Sequence, residues 1–334
     1  MKTIILAIES SCDETSAAVI QDGLVLSNTI ATQEVHSKYG GVVPELASRA
    51  HQQQIVPVVD HALKTAGVTK EQLSAVAVTQ GPGLLGALLV GTSFAKSLCL
   101  GLEIPLITVN HMKAHILAHF IEDPKPDFPF LCLTVSGGHT QLVKVDSPSH
   151  MTILGQTQDD AVGEAFDKAA KILGLKYPGG PLIDKYAKEG NADKFSFAET
   201  SMPELDYSFS GIKTSILYFL QKEMKKNPSF IEENMSDLCA SIQKSLIAML
   251  MEKLILASER SQICNIAIAG GVSANSGLRS TILCEGEKRG WNVFIPKFEY
   301  CTDNAAMIAM AAHFKFLERE FSDLSAIPMP RIPF

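Results

Sequence analysis

The sequence predicts a two-domain α/β protein, and three observations carry that prediction. A strand, a tight polar turn and a returning strand open the chain at residues 3–20 and recur at 130–145, the mark of an internal duplication. Between the copies, Asp123-Pro-Lys-Pro-Asp-Phe-Pro129 combines three prolines with charges and no apolar period, so it reads as a linker. The 334 residues, 46% hydrophobic and 19% charged, suffice for two cores of ordinary size.

The elements follow in order. Thr3-Ile-Ile-Leu-Ala-Ile-Glu9 is a strand, Ser10-Ser-Cys-Asp13-Glu14-Thr-Ser16 a turn of small hydroxyl and acidic residues, and Ala17–Ile20 the return. The tip either offers amides to a phosphate or is an ordinary polar turn. Asp22-Gly23 closes the next turn, and a third strand near 24–29 completes a meander. After Tyr39-Gly-Gly41 and Pro44-Glu45 a long helix runs through Leu63, and the capping box Thr69-x-x-Gln72 precedes a strand at 73–79. Gln80-Gly-Pro-Gly83 turns into an apolar helix ending near Leu100. Such a turn serves either close approach of a ligand or close helix–sheet packing. Leu84–Leu102 carries Lys96, three glycines, two serines and a threonine, which fits a buried helix with a polar edge better than a membrane span.

The second copy begins with strand Phe130–Val135, turn Ser136-Gly-Gly-His-Thr140 and strand Gln141–Val145. Its two glycines permit positive φ and can expose amides to an anionic oxygen. Gln158–Lys168 opens a helix with acids near its N-terminus. The helix dipole accounts for Asp159 and Asp160 but not for Asp167 further in, which therefore reads as a ligand contact. The helix stops at Gly174, Tyr177-Pro-Gly-Gly-Pro181 forms a rigid loop, and Asp184 follows on the next helix; acids beside a Gly-Gly loop suit the hydroxyls of a ribose. Helical periods run from 212 to 226, where Lys213, Lys222, Lys225 and Lys226 form a solvated face, and from 235 to 257. Strand Asn265–Ala269 enters Gly270-Gly-Val-Ser-Ala-Asn275, where a flat base can lie on the backbone with Asn275 as a polar contact. A last strand at 292–296 precedes Cys301-Thr-Asp-Asn304 and an alanine- and methionine-rich helix through His313.

Val109-Asn-His-Met-Lys-Ala-His-Ile-Leu-Ala-His119 stands apart. Residues four apart share a helix face, so His111 and His115 either hold one cation or are two surface histidines. A zinc protease of this spacing carries a Glu beside the first histidine as general base; here Met112 occupies that place. Asp303, just before an apolar helix, reads from spacing as an N-cap in preference to a metal ligand. Seven cysteines without a Cys-x-x-Cys pair suit a reducing cytosol, and Ile4–Ile8 runs straight into Glu9 and Asp13, unlike a signal sequence. A net charge of −7 argues against broad electrostatic capture of nucleic acid, though not against a local basic patch.

Two domains that each open on a strand–turn–strand around a phosphate-sized turn describe the actin-like and sugar-kinase-like ATPase architecture: duplicated ribonuclease-H-like sheets with a nucleotide in the interdomain cleft. Within it, the sequence closely resembles the tRNA N6-adenosine threonylcarbamoyltransferases of bacterial type over essentially its whole length. The resemblance rests on Glu9-Ser-Ser-Cys-Asp-Glu-Thr-Ser16, Gly40-Gly-Val-Val-Pro-Glu45, Gly81-Pro-Gly83, Asn110-His-Met-Lys-Ala-His115 and Ser136-Gly-Gly-His-Thr140. It continues in Asp159-Asp160, Gly163-Glu-Ala-Phe-Asp-Lys168, Tyr177-Pro-Gly-Gly-Pro181, Gly270-Gly-Val-Ser-Ala-Asn275 and Asp303.

The resemblance implies transfer of a threonylcarbamoyl group from threonylcarbamoyl-adenylate (threonylcarbamoyl-AMP) to N6 of the tRNA adenosine immediately 3′ of the anticodon, with release of AMP. It implies one divalent metal on His111, His115 and Asp303, iron before zinc or manganese, and so reverses the reading of Asp303. Substrate contacts fall on Thr134, Val135, Ser136, Gly137, Gly138, Asp167, Gly180, Asp184 and Asn275. The expected division is then 1–128, completed by a terminal helix at 303–334, and 129–302. The implied partners are tRNA, a shorter non-catalytic paralogue and a P-loop ATPase, in the cytoplasm and away from membranes. Asp13 and Glu14 are the candidates to take the N6 proton, or else belong to a turn that merely needs polar residues. A small-molecule kinase of the same fold is the alternative, since phosphate turns serve ATP equally well.

Overall fold

Apolar alternation in the first residues forms the expected meander: β1 (Ile4–Glu9) pairs antiparallel with β2 (Glu14–Gln21), and β2 with β3 (Leu24–Thr32). The buried β4 (Ala75–Gly81) and β5 (Leu106–Asn110) add in parallel on the other side of β1, giving the order β3-β2-β1-β4-β5. The second half repeats the plan with β6 (Phe130–Val135), β7 (Thr140–Val145), β8 (Met151–Gln156), β9 (Asn265–Ala269) and β10 (Asn292–Phe294), in the order β10-β9-β6-β7-β8. Strand for strand, the two sheets have one topology. β8 had no sequence-based expectation, because this sheet-edge strand is only partly buried and shows no clean alternation. The computed structural model describes all residues except 1, 34, 35, 37, 38 and 199–201.

Two compact units result: Met1–Lys125 with Pro296–Phe334, and Pro126–Ile295. In the first, period-two geometry sends Ile4, Leu6 and Ile8 of β1 into a core shared with α1 (Pro44–Ala66) and α2 (Leu85–Leu102). Each such fully buried aliphatic side chain contributes about 1.5–3 kcal/mol. By the same alternation Ile5, Ala7 and Glu9, all fully buried, lie on the opposite face of the strand. Also in this unit are α3 (His111–Leu117) and, from the distant end of the chain, α10 (Ala305–Leu317), which packs on β1, β2 and α3. Ala305 to Ala312 of α10 are all buried. Its first turn is anchored to the meander: the Ala305 amide donates to Ser16 Oγ at 2.8 Å and the Ala306 amide to Asn28 Oδ1 at 3.2 Å.

The expectation of a buried α2 holds for one face only. Ala87, Leu88, Gly91, Thr92, Ala95 and Cys99 are buried, but Leu85, Leu89 and Leu100 are exposed. The helix is long and apolar enough to cross a membrane by composition, yet a third of that window is buried in the unit, and a Cβ on Gly91 would come within 2.3 Å of Ser10 Oγ.

The second unit carries α4 (Val162–Ile172), α5 (Gly179–Ala187), α6 (Ser210–Met224), the single turn α7 (Phe230–Glu233), α8 (Met235–Ser261) and α9 (Ser276–Arg289). Leu131, Leu133 and Val135 of β6 and Ile266 and Ile268 of β9 share its core with Phe166 of α4 and Leu246 and Leu250 of α8. Helix α4 begins at Val162, later than its acids suggest. Asp159 is drawn away by four donors at the start of α6: the Phe209 and Ser210 amides at 2.8 and 3.3 Å and the Ser208 and Ser210 hydroxyls at 2.6 and 2.7 Å. Asp160 instead pairs with Lys168 at 2.6 Å.

Candidate metal centre and ligand cavity

The histidines owe their placement to a cap. β5 ends at Asn110, whose side-chain oxygen accepts from the Met112 and Lys113 amides at 2.9 and 3.2 Å and so starts α3. The four-residue spacing then puts His111 and His115 on one face, ring centroids 4.7 Å apart and edge-to-face. Their Nε2 atoms converge on one oxygen of Asp303, at 3.3 Å from His111 and 3.1 Å from His115. Asp303 does not cap α10, as spacing suggested; Asn304 does, its side chain accepting from the Met307 amide at 3.1 Å. The helix starts one residue later than a capping Asp303 requires, which frees that carboxylate to face the histidines.

Behind His111 stands a residue that sequence reasoning passed over. Glu9 Oε2 lies 3.0 Å from His111 Nδ1 and accepts from the Thr79 hydroxyl at 2.7 Å, while its other oxygen accepts from the Ser11 amide. The signal was legible: an acid closing a wholly apolar strand, in phase with Ile5 and Ala7. Burial disfavours charge here, yet mutual attraction prevails. Against burial, His111 holds Glu9 below its usual value, and His111 and His115 hold Asp303 well below the carboxylate range. Again against burial, Asp303 and Glu9 raise His111 well above the usual histidine value.

These residues fit a divalent cation. One nitrogen from each imidazole and one carboxylate oxygen lie within 4.8 Å of one another, and this is the only such group of three among the described residues. His115 Nδ1 is buried without a hydrogen-bond partner, leaving Nε2 as the atom aimed at the cluster. The Glu9 carboxylate on the far nitrogen of His111 is the outer-sphere arrangement that fixes a ligating imidazole. Two imidazoles and a carboxylate suit iron, zinc or manganese.

Glu14 begins β2 of the same unit, and Asp13 stands in the turn just before it. Burial first, then the charges of Asp303 and Asp13, push Glu14 up to about 9, so at neutral pH it carries a proton and is a poor acceptor for another. A cation at Asp303 would offset part of that charge effect but not the burial. The turn itself is braced by the fully buried His51 of α1, with Nε2 3.0 Å from the Cys12 carbonyl and Nδ1 2.7 Å from the Thr15 hydroxyl.

In the second unit a cavity of about 320 Å³ opens beside the ends of β6 and β9. Among its walls are Gly137, Asp167, Gly180, Asp184 and Asn275 of the residues the sequence singled out. Thr134, Val135, Ser136 and Gly138 do not line it: Thr134 and Val135 are fully buried in β6, and Ser136 closes the turn, accepting from the His139 amide at 3.0 Å. The turn's glycines are not in positive φ, contrary to expectation. Neither has any atom within 4 Å of a notional Cβ, so they leave open floor.

The polar walls are fixed by their own tasks. Asp167 Oδ1 accepts from the Gly179 and Gly180 amides at 2.8 and 3.1 Å, and burial raises its pKa against these bonds. Its position inside α4 is thus explained by the α5 terminus it ties down. Asp184 Oδ1 accepts from the Ser276 amide and hydroxyl at 3.1 and 2.7 Å. Asn275 caps α9 through Leu278 N at 2.9 Å and donates to Gln243 at 2.7 Å. Gly270, at φ +86°, is a packing glycine: a Cβ would sit 2.4 Å from the Val135 carbonyl oxygen. Gly81 is another, with a notional Cβ 1.8 Å from the Met329 carbonyl oxygen; the Gly81-Pro-Gly83 turn meets the chain's own last residues.

Comparison with known proteins agrees with this geometry. The family model described as TsaD, tRNA N6-adenosine threonylcarbamoyltransferase, matches residues 24–310. Proteins of that name from Christiangramia forsetii and Cytophaga hutchinsonii are 59% and 60% identical, covering 100% and 99% of this chain and 99% and 97% of their own. One from Clostridium perfringens is 51% identical over 99% of this chain and 98% of its own. Among solved structures, full-length HypF in its phosphate- and nucleotide-bound form superposes with a TM-score of 0.65 at 14% identity, covering 96% of this chain and 47% of that one. The Acidaminococcus fermentans (R)-2-hydroxyglutaryl-CoA dehydratase component A gives 0.53 at 15%, covering 94% and 98%. These likenesses bear on fold alone, and the fold is the expected pair of actin-like α/β domains. With matched sheets, a histidine pair facing an aspartate, and full-length relatives of one name, the chain belongs to the tRNA N6-adenosine threonylcarbamoyltransferase family.

Proposed function

We propose that this protein transfers a threonylcarbamoyl group from threonylcarbamoyl-adenylate to N6 of the tRNA adenosine immediately 3′ of the anticodon, releasing AMP. The observation that carries the reading is the convergence of His111, His115 and Asp303, with 188 residues between His115 and Asp303, in a protein of this family. Family membership decides against the kinase that the fold alone left open. Residues 1–128 with 303–334, and 129–302, act as two domains, and the nucleotide takes the cavity of the second.

The chemistry needs little base strength. The mixed anhydride already carries the activation and AMP is a good leaving group, so orientation and charge stabilisation dominate the barrier. His111, His115 and Asp303 would hold a divalent cation, iron in this reading, which would supply Lewis-acid polarisation of substrate oxygens. Glu9 keeps the His111 ring oriented. The adenosine of the adenylate takes the cavity walled by Gly271, Val272 and Phe166, with its ribose toward Asp167, Gly180 and Asp184. The open turn at Ser136-Gly-Gly138 receives the phosphate and carbonyl, with Thr134 and Val135 supporting it from β6. Asp13, in place of the protonated Glu14, accepts the N6 proton. With a net charge of −7, the chain binds tRNA weakly by itself and gains affinity from a non-catalytic paralogue and a P-loop ATPase. The reaction belongs where tRNA is, in the cytoplasm and away from membranes.

The test supplies radiolabelled threonylcarbamoyl-adenylate and unmodified tRNA, with the two partners present. Label should pass to tRNA and AMP should appear in equal amount. Label retained on the adenylate, together with phosphate transfer from ATP to a small molecule, would replace this reading by the kinase.

A further inference from the structure

The last residues of the chain fold back on the element that begins the histidine helix. The Ser322 amide donates to the Leu106 carbonyl at 2.8 Å, and the Ser322 hydroxyl meets Thr108 Oγ1 at 2.8 Å, so the segment starts alongside β5. It then crosses the end of β4: the Met329 amide donates to the Gln80 carbonyl at 2.7 Å, Gln80 Nε2 to the Ile327 carbonyl at 3.1 Å, and the Gly83 amide to the Pro330 carbonyl at 3.2 Å. The approach is so close that position 81 accepts no side chain. Finally Asn110 Nδ2 donates to the Pro333 carbonyl at 3.2 Å, and Lys113 Nζ lies 5.4 Å from the centre of the Phe334 ring.

Asn110 therefore uses both ends of its amide. Its oxygen caps α3 through Met112 and Lys113, and its nitrogen is held by the tail. An amide anchored at both ends has one rotamer, and α3 has one starting direction. The helix is only seven residues long and presents His111 at its first position and His115 at its fifth. Rotation of its first turn moves both imidazoles relative to Asp303, which is fixed separately by the α10 anchors.

We infer that Asn110 and the tail residues 332–334 are positioning residues for the cation site: the Pro333 carbonyl locks the Asn110 amide, and Asn110 sets the helix that aims His111 and His115 at Asp303. The inference rests on the cation reading of that cluster. Partners of ligands, removed one step from a metal, change affinity by about 10–100-fold when lost, and a cap-locking contact acts at the same remove.

The experiment measures Zn²⁺ affinity by chelator competition, together with melting temperature, in the full chain, Asn110→Asp, a variant lacking residues 332–334, and His115→Ala. Asn110→Asp keeps the capping oxygen and loses the donor to Pro333. The expected result is a loss of about tenfold in Zn²⁺ affinity for both Asn110→Asp and the truncation, with the metal-free melting temperature held within about 2 °C. Wild-type affinity in Asn110→Asp overturns the inference, as does a loss of affinity matched by a fall in metal-free melting temperature. Should the truncated chain fail to fold, Asn110→Asp decides alone. If His115→Ala binds Zn²⁺ as tightly as the parent, the cation reading itself falls, which is a different failure.

Discussion

The two sheets share one strand order, yet their equivalent ends have opposite fates. In the first unit the turn after β1 is packed solid: Ser10 Oγ donates to the Ala87 carbonyl at 3.0 Å, the Leu84 amide to the Ser11 carbonyl at 2.7 Å, and both serines are buried. The turn after β4 is occupied by the chain's own tail. In the second unit the turn after β6 leaves open space at Gly137 and Gly138, and the segment after β9 walls a cavity. One frame thus yields a closed, charged end suited to gripping a cation and an open end, walled by glycines and apolar residues with Asp167 and Asp184 among them, suited to a planar ligand. Duplication supplied the scaffold; what fills the strand ends decides the chemistry.

The largest effect expected from breaking this contrast is at the charged end. Asp303→Ala should lose the cation and reduce threonylcarbamoyl transfer by more than about 100-fold, exceeding the range for outer-sphere partners, while the fold persists. Metal content, melting temperature and transfer measured together check this; a metal-free variant with full activity would remove the cation from the mechanism.

Next come two glycines that look alike in sequence. Gly270→Ala places a methyl against the Val135 carbonyl at a left-handed φ and should cost about 2–4 kcal/mol of stability by denaturant titration. Gly137→Ala should stay within about 0.5 kcal/mol of the parent yet weaken adenine-nucleotide binding. Equal stability losses at the two sites would contradict the open-floor description of the second turn.

Asp184→Ala should weaken AMP binding by about 1–3 kcal/mol, read by calorimetry; unchanged affinity would move the ribose elsewhere. The smallest effect concerns Asp159. Burial raises it, but the Ser208 and Ser210 hydroxyls and the Phe209 and Ser210 amides outweigh burial and hold it below its usual value. A depressed folded pKa contributes stability that is complete above the unfolded value of about 3.9 and is lost as pH falls below it. Asp159→Asn should flatten the acid limb of the stability–pH curve below about pH 4, by no more than about 1 kcal/mol given its partial exposure.

The duplicated hairpins, the linker, the glycine-rich strand ends and the histidine spacing were all legible, because each is a local pattern read within a dozen residues. What escaped was set by contacts across the sequence. Asp159 looked like a dipole acid because the donors that claim it lie about 50 residues on. Gly81-Pro-Gly83 stayed open between ligand approach and close packing because Met329 could not be placed against it. Glu9 is legible in its strand as a buried acid, but not as the partner of His111, because 102 residues separate them. Asp303 was misread from spacing as a cap, since Asn304 beside it has equal claim and only the start of α10 decides between them.

That α10 and the tail complete the first unit has a consequence for synthesis. The second unit is contiguous and can fold as soon as it leaves the ribosome, whereas the first, begun earlier, stays unfinished until the final helix emerges. Asp303 follows His115 by 188 residues, about 10–40 s of translation at 5–20 residues per second. For that interval a nascent chain displays two histidines and no carboxylate to close the set. The three-ligand group is therefore complete only once the helix that follows Asp303 has docked on the first unit.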